Sequence, residues 1–432
     1  MAFAFATILP RPANNGIGDG VKVASRRSCV MNKRILFVDD EPMVLQGLQR
    51  SLRTMRLEWE TKFATSGPEA LEMMAEAPFD VVITDMRMPG MDGAQLLDLV
   101  KAKFPRTVRI ILSGQSDRET ILRSVGPSHQ YLSKPCDVDE LKPRLTRAFA
   151  LRDMLGDPQL KEVVGRLKSV PSLPALYVAV TDALRNPDTP IARIGDIIAQ
   201  DMGMCAKVLQ LVNSAFFGLS CQVSSPQQAA SLIGIENLKA LVLSLEVFSD
   251  FGGPLTQELG FLWNHSMATA SFAHAIAKVQ QSPRPMVDDS FAAGLMHDVG
   301  QLVLASAYGA QYQKVLRRAE EPGAMLAACE AEEFGCTHNA VGAYLLGLWG
   351  LADSVVEAVA WHHQPSHAQP KVFSALIAVH AADFFENQLH PHPGFDGNSM
   401  DELLLTEIGL QPQLASWGKA CRDVASRSEI HA

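Results

Sequence analysis

The chain has 432 residues, long enough for two or three domains with separate cores. Its 47% hydrophobic and 20% charged residues suit an ordinary globular protein, and no apolar run reaches the roughly 18 residues that a membrane helix needs. A formal net charge of -9 with no dense basic run argues against DNA or RNA as the main partner. Seven scattered cysteines without a CxxC pair suit reduced thiols in the cytoplasm better than a disulfide framework.

Residues 1–30 begin with an apolar stretch that no cationic region precedes, then turn polar and glycine-rich. They read as a disordered leader rather than a signal peptide, with Met31 as an alternative start. From 31 to 155, short β-branched runs alternate with helical periodicity. Strands are expected at 35–38, 58–64, 81–83, 108–112 and 130–132, with helices near 43–55, 68–75, 94–103, 119–125 and 138–154. That alternation predicts a five-stranded parallel sheet, covered on both faces, with its crevice at the carboxyl ends of the strands.

The residues with chemistry stand at those ends. Asp39 and Asp40 follow the first strand, Asp85 the third, Ser113 the fourth and Lys134 the fifth. Crowded carboxylates repel one another unless a cation is present, and Mg²⁺ prefers oxygen ligands. Asp85 then reads as a nucleophile that takes a phosphoryl group, with Lys134 neutralising its charge and Ser113 donating a hydrogen bond. One aspartate after a strand is usually a loop residue or a helix cap; five groups in this pattern ask for more.

The segments Phe37-Val38-Asp39-Asp40-Glu41-Pro42, Thr84-Asp85-Met86-Arg87-Met88-Pro89-Gly90 and Leu132-Ser133-Lys134-Pro135 resemble the response-regulator receiver family, whose fold is flavodoxin-like and CheY-like. The resemblance implies Mg²⁺ held by Asp39, Asp40, Asp85 and the backbone carbonyl of Arg87. It further implies a phosphoacceptor at Asp85, a switch built from Ser113, Tyr131 and Lys134, and a sensor histidine kinase as partner.

After Gly156-Asp157-Pro158 the strand signals fade, and 156–365 reads as an all-α domain followed by a helical extension over 366–432 packed on it. Helices are expected at 372–385 and 403–408, a loop at 387–399, and a frayed end from Arg422 to Ala432. His265, His297-Asp298, His338, His362-His363 and Asp383 are spread over several helices; gathered together, they could hold one or two divalent ions with a bridging water. Asn213 is expected to end a helix, with Gly218 completing the cap and Phe216 and Phe217 in the core.

The segments Val170-Pro171-Ser172-Leu173-Pro174, Asn213-Ser214-Ala215-Phe216-Phe217-Gly218 and Ala293-Gly294-Leu295-Met296-His297-Asp298-Val299-Gly300 resemble the HDOD family, an output domain related to the HD phosphohydrolases. The wider superfamily implies a metal site at His265, His297, Asp298 and Asp383, here read as vestigial. Gln301 stands where cyclic-di-GMP phosphodiesterases of the HD-GYP type carry a lysine, and Gln364-Pro365-Ser366 replaces their continuation through Glu to Gly-Tyr-Pro. These departures disfavour a divalent transition metal with turnover. The expected function is therefore a phosphorylation-dependent two-component regulator that is not an enzyme. It would act on a downstream signalling protein, in cyclic di-GMP signalling for example, through altered docking or homodimerisation. The alternative is a receiver-gated metal-dependent phosphohydrolase.

Overall fold

The computed structural model describes residues 33–429 apart from 56–58, 114–127, 135–137, 155–157, 168–173, 187, 214–221, 236–237, 239–241, 243–254, 322–323 and 393–398. The leader, the helix expected at 119–125, and Phe216, Phe217 and Gly218 lie outside the described residues. Five parallel strands form one sheet in the order β2-β1-β3-β4-β5: β1 (Lys33–Val38), β2 (Trp59–Ala64), β3 (Val81–Asp85), β4 (Val108–Ser113) and β5 (Gln130–Ser133). Helices Pro42–Ser51, Gly67–Glu76 and Gly93–Lys103 lie between strands, and helix Val138–Met154 follows β5.

Period-two alternation divides the strand side chains between two layers. Leu36, Val38, Val82 and Ile111 point to one layer with Met74, Leu96, Leu97 and Val100 from helices Gly67–Glu76 and Gly93–Lys103. Ile35, Phe37, Ile83, Ile110 and Leu112 point to the other, with Leu45, Leu141, Leu145 and Phe149. This second layer is continuous with the core of the helical half.

The helical half runs from Pro158–Arg166 to Leu414–Glu429. At the seam, helix Val138–Met154 packs on helix His338–Leu348, and helix Pro158–Arg166 packs on Gly93–Lys103. Buried Arg109 in β4 donates to the Gly165 carbonyl at 2.7 Å, and its guanidinium lies 2.8 Å from His129 Nε2. Gln210 donates to the His129 carbonyl at 3.3 Å. Burial, and then the charge of Lys101, lower the Lys207 ammonium to about 7 even though it lies over the Trp349 ring.

Three details differ from the sequence reading or complete it. The expected fray from Arg422 is instead helix through Glu429, because Trp417 and Cys421, one turn apart, are both fully buried and tie the tail to helices Leu255–Val279 and Ala375–Leu389. Asn213 does end helix Met202–Val212, and its side chain also clamps Val223, donating to the carbonyl at 2.8 Å and accepting from the N–H at 2.7 Å. Cys205, Cys329, Cys336 and Cys421 are buried free thiols. Among the described residues no helix is long and apolar enough to cross a membrane.

Candidate functional site

Two sites are built on these halves. In the first, the ends of β1 and β3 bring Asp39 and Asp85 together, 1% and 7% exposed. The Lys134 ammonium joins them, 2.7 Å from Asp39 Oδ2 and in direct contact with Asp85 Oδ1. Burial opposes the lysine's charge, but hydrogen bonds to Asp39 and Asp85 outweigh it and raise the ammonium above its ordinary value. The remaining carboxylate oxygens are held by backbone: Glu41 N–H donates to Asp39 Oδ1 at 3.0 Å, and Arg87 N–H to Asp85 Oδ2 at 2.7 Å. A Cβ on Gly93 would lie 2.1 Å from the Asp85 carbonyl oxygen, so only glycine lets the next helix start this close to the pocket.

Asp40 is half-buried and Arg87 exposed at the rim. Among the described residues Asp39, Asp40 and Asp85 are not a trio whose oxygens all lie within 4.8 Å of one another. Among the described residues the candidate ligand atoms here are the carboxylate oxygens of Asp39 and Asp85, a donor type that suits Mg²⁺. Ser113 ends β4 and Tyr131 lies in β5, paired with Ile111, but their side chains lie outside the described residues.

The second site lies inside the helical half. Asp298, His338, His362 and His363 form one cluster of ligand atoms within 4.8 Å of each other; His265, His297 and Asp383 form a second. The Asp298 carboxylate faces both: Oδ2 is 3.5 Å from His297 Nε2 and 3.8 Å from His265 Nε2, while Oδ1 is 3.3 Å from His338 Nε2 and 3.7 Å from His362 Nε2. His265 Nε2 lies 3.2 Å from His297 Nε2 and 3.3 Å from Asp383 Oδ1. His338 and His363 bring their Nε2 atoms to 3.0 Å.

Four of these imidazoles have their outer nitrogen fixed by an acceptor. Nδ1 of His265 meets Glu386, that of His338 meets Glu330 at 2.7 Å, that of His297 meets the Gly294 carbonyl at 2.8 Å, and that of His362 meets the Val359 carbonyl at 2.9 Å. Metal-binding histidines are oriented in this way, leaving the other nitrogen for the ion. Tyr312 in turn donates to Glu330 at 2.8 Å. Asp298 Oδ1, His362 Nε2 and His363 Nδ1 are buried without any hydrogen-bond partner. A mixed imidazole and carboxylate set with orphaned buried atoms fits divalent transition metals.

Charge is distributed accordingly. Burial disfavours protonated His265 and His338, but hydrogen bonds and charge from Asp383 and Glu386, and from Glu330 and Asp298, raise them to about 10 and about 9. Burial, and then neighbouring imidazoles, push His362 well below its ordinary value and His363 to about 4. Asp298 and Asp383 are both held below the usual carboxylate range: burial works against this, and the surrounding histidines prevail. Protons on histidine thus balance carboxylates that an ion would otherwise balance, and ion binding would release them.

The His297-Asp298 turn between helices Arg284–Met296 and Val299–Tyr308 reaches this centre because of Gly300. A Cβ there would stand 1.8 Å from the His338 carbonyl oxygen. Beside His363 opens a cavity of about 580 Å³ lined by Gln364, Ser366, His367, Asp401 and Glu402, among others.

Residues 35–146 match the response regulator receiver domain, and residues 170–365 match the HDOD domain. The chain is a response regulator, a receiver joined to an HDOD domain. This receiver–HDOD protein is 28% identical to an uncharacterised protein of Treponema pallidum over 50% of this chain and 42% of that one. It is 35% identical to the regulatory protein AtoC of Escherichia coli over 28% of this chain and 26% of the relative. Both matches span less than half of the relative's length. Among solved structures, the MmoQ response regulator of Methylococcus capsulatus aligns with 58% of this chain and 98% of its own, at 23% identity and a TM-score of 0.43.

The HDOD match stops at 365, yet Asp383 and Glu386 stand beyond it on helix Ala375–Leu389, so the extension supplies part of the HDOD centre. Sequence reasoning named Asp383 but missed Glu386 and Glu330. Glu386 carries a local signal, lying three residues after Asp383 on one helical face. Glu330 carries none, because its link to His338 crosses from one helix to the next.

Proposed function

We propose that this receiver–HDOD regulator accepts a phosphoryl group on Asp85 from a sensor histidine kinase and passes the change to its helical half, which acts on a downstream signalling protein. The observation that carries the reading is the Lys134 ammonium seated between Asp39 and Asp85 at the ends of parallel strands. Asp85 is the nucleophile, and Asp39, Asp40, Asp85 and the Arg87 carbonyl are the ligands for Mg²⁺. Bound there, the ion supplies Lewis-acid neutralisation of phosphoryl oxygens. Lys134 holds the carboxylates in place beforehand and stays as a counter-charge afterwards. Ser113 and Tyr131 complete the switch.

The test is labelling by acetyl phosphate in Mg²⁺, followed by intact mass. One phosphoryl group per chain is expected for the wild type and none for Asp85→Asn. Equal labelling of the variant would remove the assignment.

One observation favours a second reading. The two His/Asp clusters adjoin at Asp298, whose carboxylate faces both, and they could hold two divalent ions, which would supply Lewis-acid chemistry on phosphoesters when bound. On this reading His265, His297 and Asp383 hold one ion, His338, His362 and His363 hold the other, and Asp298 contributes to both. Two features weigh against hydrolysis of a strongly anionic substrate. Gln301 is buried in the place of a cation, and Asp401 and Glu402 line the adjoining cavity, where no lysine or arginine stands among the described lining residues. The output reading we retain is a metal-holding domain that works by protein contact. Metal analysis of the purified chain together with a phosphodiesterase assay decides: turnover that is lost in His297→Ala would establish the enzyme.

A further inference from the structure

Helices His338–Leu348 and Asp353–Trp361 pack together as a hairpin. Its open end carries His338 at the start of the first helix and His362-His363 directly after the second, the three histidines clustered with Asp298. Its closed end, residues 349–352, lies against the receiver. Arg147 on helix Val138–Met154 donates to the Leu351 carbonyl at 2.7 Å and forms an ion pair with Asp353, the first residue of the second helix. Gln130 in β5 donates to the Gly347 carbonyl at 3.2 Å. The receiver therefore grips the bend of a hairpin whose tips are ligand candidates. With 11 and 9 residues at about 1.5 Å each, the arms are roughly 13–16 Å long.

These arms have little room to absorb a displacement. Gly342 on the first arm meets Gly300 of helix Val299–Tyr308, where a Gly300 Cβ would stand 2.9 Å from the Gly342 nitrogen. That crossing is backbone against backbone, a pivot between grip and tips. Helix Val138–Met154 begins four residues after Lys134, and Leu141, Leu145 and Phe149 fasten it to the sheet. A phosphoryl group on Asp85 gives the Lys134 ammonium a new partner, and the nearby helix is the element placed to move with it.

We propose that Arg147 is a positioning residue through which phosphorylation of the receiver sets the alignment of the Asp298–His338–His362–His363 seat. This rests on reading the clusters as metal seats and Asp85 as phosphoacceptor. The seat is assembled with Lys134 on both carboxylates, the unphosphorylated arrangement, so phosphorylation loosens it. His265 and Asp383 lie on helices Leu255–Val279 and Ala375–Leu389, outside the gripped hairpin, so their seat should shift less. The asymmetry separates a lever from a merely structural ion pair.

The experiment is calorimetric titration of the full chain with Mn²⁺ in excess Mg²⁺, before and after beryllofluoride, a phosphoryl mimic. Two Mn²⁺ ions are expected, with one weakened at least about fivefold by the mimic and the other clearly less affected; allosteric couplings commonly run from about 5- to 150-fold. In Arg147→Ala the difference should fall below about twofold, and Arg147→Lys should restore part of it through Asp353. Full coupling in Arg147→Ala, equal shifts at both seats, or no shift in the wild type would each overturn the proposal. If no Mn²⁺ binds, the metal reading fails separately. Hydrogen exchange of 338–363 then decides: a mimic-dependent change that Arg147→Ala abolishes supports the lever, and an equal change in both proteins overturns it. Should Arg147→Ala not fold, Asp353→Asn cuts the same pair from the other side.

Discussion

The receiver pocket and the histidine centre both gather carboxylates around a place for a cation, but their surroundings are opposite. The described ligand atoms of the pocket are carboxylate oxygens at the ends of strands, with an ammonium on a flexible stem between them. The centre is rich in nitrogen and buried, and four of its imidazoles are pinned from behind by a fixed acceptor. A site that must admit and release a phosphoryl group needs a counter-charge able to change partner. A site that keeps its ion needs ligands that cannot turn. On the proposed reading, the difference would favour rapid exchange in one half and lasting occupancy in the other.

The largest effect that could break this comparison is at Asp298. Asp298→Ala should lower bound metal from two ions to one or fewer. It should also destabilise the fold by about 3–5 kcal/mol, because buried charged partners are left uncompensated. Metal content and a urea midpoint measure both, and a variant that keeps two ions would end the shared-carboxylate account.

The seam between the halves offers the next effect, at Lys207. Its ammonium is lowered to about 7, whereas in the unfolded chain it stays protonated to its ordinary 10.5. Between those values the unfolded chain binds a proton that the folded one does not, so stability should rise with pH from about 7 towards 10.5. The gain should be on the order of 5 kcal/mol, and below pH 7 the cost of the buried charge is present in full. Denaturation of Lys207→Met across this range should lack the rise. A slope equal to that of the wild type would place the titration elsewhere.

The smallest effect sharpens the pocket side. Lys134→Met leaves Asp39 and Asp85 facing each other without their cation, and should cost about 1–3 kcal/mol in metal-free buffer. Millimolar Mg²⁺ should restore most of it, whereas the wild type should gain much less. Thermal melts with and without Mg²⁺ would show this, and a variant indifferent to the ion would remove Mg²⁺ from the pocket.

Much of the receiver was legible because its chemistry is tied to local punctuation. Each strand is a short apolar run, and Asp39, Asp85 and Lys134 stand where the runs stop. The strand ends agree with the sequence reading to within about two residues, and helix Val138–Met154 agrees at both ends. Asp40 follows Asp39 directly, and its side chain sits half-buried at the rim of the same pocket. In the helical half, His297-Asp298 stood out as a motif, whereas its partners come from helices distant in sequence. Their convergence depends on close crossings such as Gly300 against His338, which helical periodicity does not encode. The tail was misread for a related reason: the burial of Trp417 and Cys421 depends on a long-range groove, and a polar composition concealed it.

Because Asp383 belongs to a helix past the HDOD boundary, the order of synthesis matters. A growing chain exposes His265, His297, Asp298, His338, His362 and His363 well before the last carboxylate is made. If the centre holds metal as proposed, its ligand set stays incomplete until the late helix arrives. Metallation would then wait for helix Ala375–Leu389, and a nonsense codon before position 383 would leave the ligand set short of a carboxylate.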